Sequence, residues 1–106
     1  MQYPATNVYP PVQDAQDGLF IAYSGDHMRT VAKGNYIVKE TNAQVTGWNS
    51  REQFPSYDGQ LRQNVYGHLA SGSNMVSYWH WHTLHYGQET YWRGILGQDL
   101  EPNRSM

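Results

Sequence analysis

The sequence predicts an α/β fold in which parallel strands alternate with helices. Three observations carry that prediction. Two short runs, 35–40 (NYIVKE) and 74–81 (NMVSYWHW), are rich in β-branched and aromatic residues. Neither run alternates strictly between apolar and polar, which is the pattern of strands covered on both faces. Between them lies a segment with helical spacing, and a helix joining two strands is a crossover that pairs them in parallel.

Each element has its own signal. Residues 1–17 hold Pro4, Pro10 and Pro11, and each proline disfavours helix at the residue before it. The stretch is expected to be an extended connection. Asp17 can cap a helix over 18–32, where Leu19, Ala22, Tyr23, Met28 and Val31 give a partial stripe. Gly25 weakens that helix by about 1 kcal/mol against alanine, and Gly34 is its stop signal. Strand 35–40 comes next, with Glu40 at its C-terminal end, and then an irregular loop over 41–57. Asp58 is the candidate cap of a second helix over 59–71. Leu61, Val65 and Leu69 are its expected packing stripe, Gly72 its end, and His68 a helix-end or surface residue. Strand 74–81 is expected to be covered on both faces, and the chain after Gly87 turns polar.

Composition excludes several function classes. The chain has 106 residues, the size of one small domain, with a net charge of −2 and only 7 Lys and Arg scattered along it. No basic patch for nucleic acid is present. No apolar run approaches the roughly 20 residues of a membrane span. The N-terminus lacks the basic start and apolar core of a signal peptide. With no cysteine, thiolate metal sites are excluded, and the expectation is a cytoplasmic protein. Aromatics make up 14%, and Tyr and Trp suit pockets for amphipathic ligands such as sugars.

The candidate chemistry lies at the strand ends. Glu40 and Glu89 each come after one of the two strands, at the end of the sheet where α/β folds gather ligands. Paired carboxylates there are the raw material of glycoside hydrolysis. His80 and His82 share a face if the strand extends that far, and with Glu89 they offer a second reading, a small metal- or sugar-binding module. No phosphate-binding loop or acyl-transfer serine elbow is present.

Four segments resemble glycoside hydrolase family 42 β-galactosidases, in collinear order over about 18–104. SGDHMRTVAKG (24–34) is similar to the helix before the nucleophile strand of that family. VKETNAQVTGW (38–48) resembles the nucleophile segment. SYWHWHTLHYGQETYWRGIL (77–96) resembles the last barrel strand and its loop, and LGQDLEPNR resembles the family's segment beyond that loop. The resemblance implies a TIM (β/α)8 barrel of which this chain is the last quarter, with the two strands as the seventh and eighth. It implies that Glu40 is the catalytic nucleophile, that Trp48 lines the galactose pocket, and that Glu89 binds substrate. Where the family often carries a galactose-contacting histidine, this chain has Trp92, implying a stacking contact or none.

The implied reaction is retaining hydrolysis of a β-galactoside, with no cofactor and no metal, since the family's cysteine cluster is missing. Members are often trimers. The family's acid/base glutamate lies on the fourth strand, upstream of anything matched here. A TIM barrel takes roughly 250 residues, so the chain is expected to be a C-terminal fragment of the catalytic domain, an incomplete barrel, inactive alone.

Overall fold

The computed structural model describes residues 3–45 and 54–103. Five main elements succeed one another: β1 (Ala5–Asn7), α1 (Leu19–Ala32), β2 (Tyr36–Asn42), α2 (Gln60–Ala70) and β3 (Ser73–Trp79). The sheet has the order β1-β2-β3 and both pairs are parallel. Each helix is therefore a crossover between adjacent parallel strands; the sequence predicts this for α2, while the crossover through α1 depends on a strand that it does not predict.

β1 lies inside the stretch expected to be a plain connection. Pro4 and Pro10 flank it, where a missing N–H costs no ladder bond. The Pro4 carbonyl accepts from the Ile37 N–H at 3.0 Å, and the Val8 N–H donates to the Glu40 carbonyl at 2.9 Å. Val8 then joins Tyr36 and Val38 in the core, with Met28 and Val76 packed against them. A strand of three residues is too short to show a period, so only its partner reveals it.

The helix ends differ in detail from the expected ones. Asp17 does accept from the Leu19 N–H at 2.9 Å, but the cap position is Gly18 at φ 75°. α1 stops on Lys33, at φ 55°, one residue before Gly34. α2 is capped by Gly59 at φ 87°, and Asp58 makes no capping bond. The side chain of Gln60 instead ties the N-terminal segment down. Its Oε1 accepts from the Gln13 N–H at 3.0 Å, and its Nε2 donates to the Gln13 carbonyl at 2.9 Å.

The buried face of α2 is rotated from the expected one. Leu61, Asn64 and His68 face inward, while Leu69 is 46% exposed and His68 is fully buried at 0%. Spacings of three and four are both helical neighbours, so Leu61 belongs to either stripe. The polar stripe is the one turned to the protein. β3 is also more open than expected, with Met75 and Trp79 exposed. Gly25, unfavourable in the middle of α1, has a packing reason. A Cβ there would lie 2.5 Å from Ser71 Cβ and 2.9 Å from the Tyr36 hydroxyl. Glycine lets α1 approach the end of α2.

Candidate functional site

The site forms where β1 and β2 end. The parallel register pairs Asn7 with Glu40 after an irregularity between Thr6 and Asn7. Asn7 Nδ2 donates to Glu40 Oε2 at 2.8 Å, and the Tyr9 hydroxyl donates to the same oxygen at 3.0 Å. Burial, the hydrogen bond to Glu40 and the charges of Glu40 and Glu89 all push the Tyr9 phenol above its ordinary range. Tyr9 is thus a neutral donor that lies in the field of both carboxylates.

The second half of the site comes from the chain after β3. The strand stops at Trp79, whose peptide bond to His80 is cis. Residues 80–83 then run beside a returning segment. Ile95 N–H donates to the His80 carbonyl at 3.1 Å, Leu96 N–H to the Trp81 carbonyl at 2.9 Å, and Thr83 N–H to the Leu96 carbonyl at 2.9 Å. The tail that reads as a polar loop is folded back on the site. Asn103 Nδ2 donates to the Gly94 carbonyl at 2.7 Å.

Glu89 opens a turn closed by the Trp92 N–H donating to the Glu89 carbonyl at 3.0 Å. The turn explains the three-residue spacing that puts both near the site. Glu89 Oε2 stands 3.7 Å from His80 Nε2. Burial lowers the affinity of His80 for a proton, and the nearby Glu89 opposes that only in part. Trp92, 3% exposed, meets Tyr9 edge-on at 5.9 Å and leans over His80 at 6.0 Å. One connected group therefore runs Asn7, Glu40, Tyr9, Trp92, His80, Glu89.

Of the residues that the sequence singles out, the structure brings Glu40, Glu89, Trp92 and His80 together. Trp48 lies outside the described residues. His82 belongs elsewhere, with its ring 5.8 Å from that of His85. His80 and His82 cannot share a strand face, because the strand ends before both. Among the described residues no group of three or more His, Asp or Glu stands close enough to hold a metal ion. Asn7 and Tyr9 escape the sequence reading because they sit in a stretch with no visible period. The one available signal is a strand-forming Thr6 and Val8 between prolines.

A cleft between the loops after β2 and β3 is lined in part by Gln44, Ser56, Thr83, Arg93 and Asn103, and by none of the six residues of this group. The Arg93 N–H donates to the Val45 carbonyl at 3.2 Å, tying the loops together.

Comparison with known proteins gives a consistent answer. The family model for glycoside hydrolase family 42, described as β-galactosidase, matches residues 1–106. A β-galactosidase of Arthrobacter sp is 27% identical over 88 residues, which is 82% of this chain and 12% of that protein. The β-galactosidase of the Antarctic haloarchaeon Halorubrum lacusprofundi superposes with a TM-score of 0.84 at 25% identity, over 97% of this chain and 17% of its own. That of the psychrophilic Marinomonas ef1 has a TM-score of 0.84 at 19% identity, over 99% and 18%. The chain thus spans less than a fifth of the length of these relatives. With a family match along its whole length and the parallel α/β fold of these structures, the chain belongs to the glycoside hydrolase family 42 β-galactosidases.

Proposed function

We propose that this chain supplies the nucleophile and the sugar-anchoring part of a retaining β-galactosidase site, one that releases terminal β-D-galactose. The observation that carries the reading is the pair of hydrogen bonds on Glu40. Asn7 and Tyr9 both donate to Oε2, while Oε1 has no hydrogen bond among the described residues. One oxygen is held and the other is left to react. The carboxylate is thereby oriented before substrate arrives, and orientation is a large part of what a site contributes.

In the first step Glu40 Oε1 attacks the anomeric carbon. The bond to the leaving-group oxygen breaks, and that oxygen takes a proton from a general acid. Water then attacks the glycosyl ester, returns a proton to the same group and frees Glu40. Glu89 and Trp48 hold the galactose, and the buried Trp92 backs them as part of the wall between Tyr9 and His80. The general acid comes from barrel strands other than those in this chain. β1, β2 and β3 are three neighbouring strands of that TIM barrel, and the chain alone is inactive.

The test is Glu40→Gln in the full-length enzyme that carries this segment, assayed on an aryl β-galactoside. The expected result is loss of turnover, with galactose still bound. Turnover at the wild-type level would remove Glu40 from the nucleophile role.

A further inference from the structure

Glu89 differs from Glu40 in how it is held. Two side chains donate to Glu40 Oε2 at 2.8 and 3.0 Å, whereas the His80 ring stands 3.7 Å from Glu89, whose side chain is 42% exposed on a loop. A glutamate side chain loses up to about 2 kcal/mol of rotamer freedom when it is ordered. A sugar anchor on a loop must find that order from somewhere. A fixed group beside it is His80, whose side chain is only 9% exposed and whose Nε2 faces Glu89 Oε2 at 3.7 Å. The imidazole is itself held in place. Trp79 packs on it at 4.4 Å, Trp92 at 6.0 Å, and the His80 carbonyl accepts from Ile95.

We propose that His80 is a positioning residue that holds the Glu89 carboxylate in register for the sugar, acting as a neutral Nε2–H donor. The inference rests on the reading of Glu89 as a sugar-binding carboxylate. A neutral imidazole has one donor and one acceptor nitrogen, so facing a carboxylate selects the Nε2–H tautomer. At 3.7 Å the contact is longer than a formed N–H···O bond. Catalytic contacts of this kind tighten when substrate binds. Trp92 joins the same wall to Tyr9, so the two carboxylates are supported by one packed unit.

The neutral state matters. Glu89 and His82 are the titratable groups acting on His80, the first favouring its charged form and the second opposing it. Burial keeps the ring neutral near neutral pH. In acid the ring takes a proton and forms a charged pair with Glu89. That pair competes with the sugar hydroxyls for the same carboxylate, and sugar affinity falls.

The experiment measures kcat and KM for an aryl β-galactoside, and inhibition by galactose, between about pH 5 and 8. The full-length enzyme is compared with His80→Phe and His80→Gln. His80→Phe keeps the packing and removes the donor. It is expected to raise KM and the galactose inhibition constant about tenfold, with kcat changed by no more than about threefold. His80→Gln can still donate but does not titrate. It is expected to restore KM to near wild type and to abolish the rise in KM on the acid side.

Wild-type KM in His80→Phe overturns the proposal, and so does a wild-type acid limb in His80→Gln. If His80→Phe does not fold, the acid limb of His80→Gln decides alone. Glu89→Gln separates the two layers. An unchanged KM there removes the anchor assignment and this inference with it. A raised KM there, beside an unaffected His80→Phe, removes only the role of His80. Galactose binding to Glu40→Gln, read by calorimetry because turnover is lost, is expected to match wild type, so failure of the nucleophile reading is seen separately.

Discussion

Tyr9 donates to a carboxylate in a place where burial and negative charge together keep its own proton on. Each of those effects favours the neutral phenol, so Tyr9 remains a donor across the whole range in which a glycosidase is assayed. A hydrogen bond to a charged group contributes about 1.5–3 kcal/mol, and Asn7 alone cannot replace it. Tyr9→Phe is expected to lower kcat by about tenfold or more through a misoriented Glu40, with KM much less affected. An unchanged kcat in Tyr9→Phe would argue against this role. Gly94 shows the same economy of space. A Cβ there would lie 2.4 Å from the His82 carbonyl carbon, so only glycine lets the returning chain close on 80–83. That approach lets the Gly94 N–H donate to Thr83 Oγ1 at 3.1 Å, which fastens the returning chain to the segment that carries His80.

The helices carry a second titratable feature. α2 turns Asn64 and His68 inward, and His68 is completely buried with neither ring nitrogen hydrogen-bonded. Burial lowers its proton affinity, and among the described residues no charge adds to or opposes that effect. Its folded pKa is therefore below its unfolded value, near 6.5. Below that pH the unfolded chain binds a proton that the folded chain resists. The stability contributed by neutral His68 is present above about pH 6.5 and is lost as pH falls, by at most about 1.4 kcal/mol per pH unit. His68→Leu should flatten that limb in the full-length enzyme, when thermal unfolding is compared at about pH 7.5 and 5.5. Equal acid sensitivity in both proteins would count against it. Elements of some length with a composition or stop signal of their own were legible in the sequence: both helices, and strands β2 and β3, emerge from it to within a residue or two. Glu40 was legible too, as a carboxylate at a strand end. The facing of α2 was not, since Leu61 fits two stripes and an apolar reading prefers Val65 and Leu69. β1 was hidden because three residues carry no period, and with it went Asn7 and Tyr9, whose role exists only through the register with β2.

The molecule as a whole exposes more surface than its mass requires. Its accessible area is 7024 Å², against about 6,100 Å² for a compact monomer of this size. Its radius of gyration is 14.0 Å, against about 13 Å. Part of the excess is apolar. Leu19, Tyr23 and Val31 stand out from α1, Leu69 from α2, and Met75 and Trp79 from β3. Leu61, Val65, Leu69, Tyr78 and Ile95 line an open groove beside α2. Patches of this extent mark surfaces that another part of a protein covers, or they lead to association. On the proposed reading, the other strands and helices of the barrel cover them. The isolated 106-residue chain is therefore expected to bind a hydrophobic dye, to associate as its concentration rises, and to show no turnover of an aryl β-galactoside. Leu69→Lys with Val31→Lys should reduce the association, because charge on the exposed faces opposes it, and on the proposed reading it should not restore activity, since the general acid belongs to other strands. The full-length enzyme should not bind the dye. Sedimentation and dye fluorescence check both proteins. A monomeric, dye-silent isolated chain that hydrolyses the galactoside would show that these three strands form a complete site by themselves, and the incomplete-barrel reading would be abandoned.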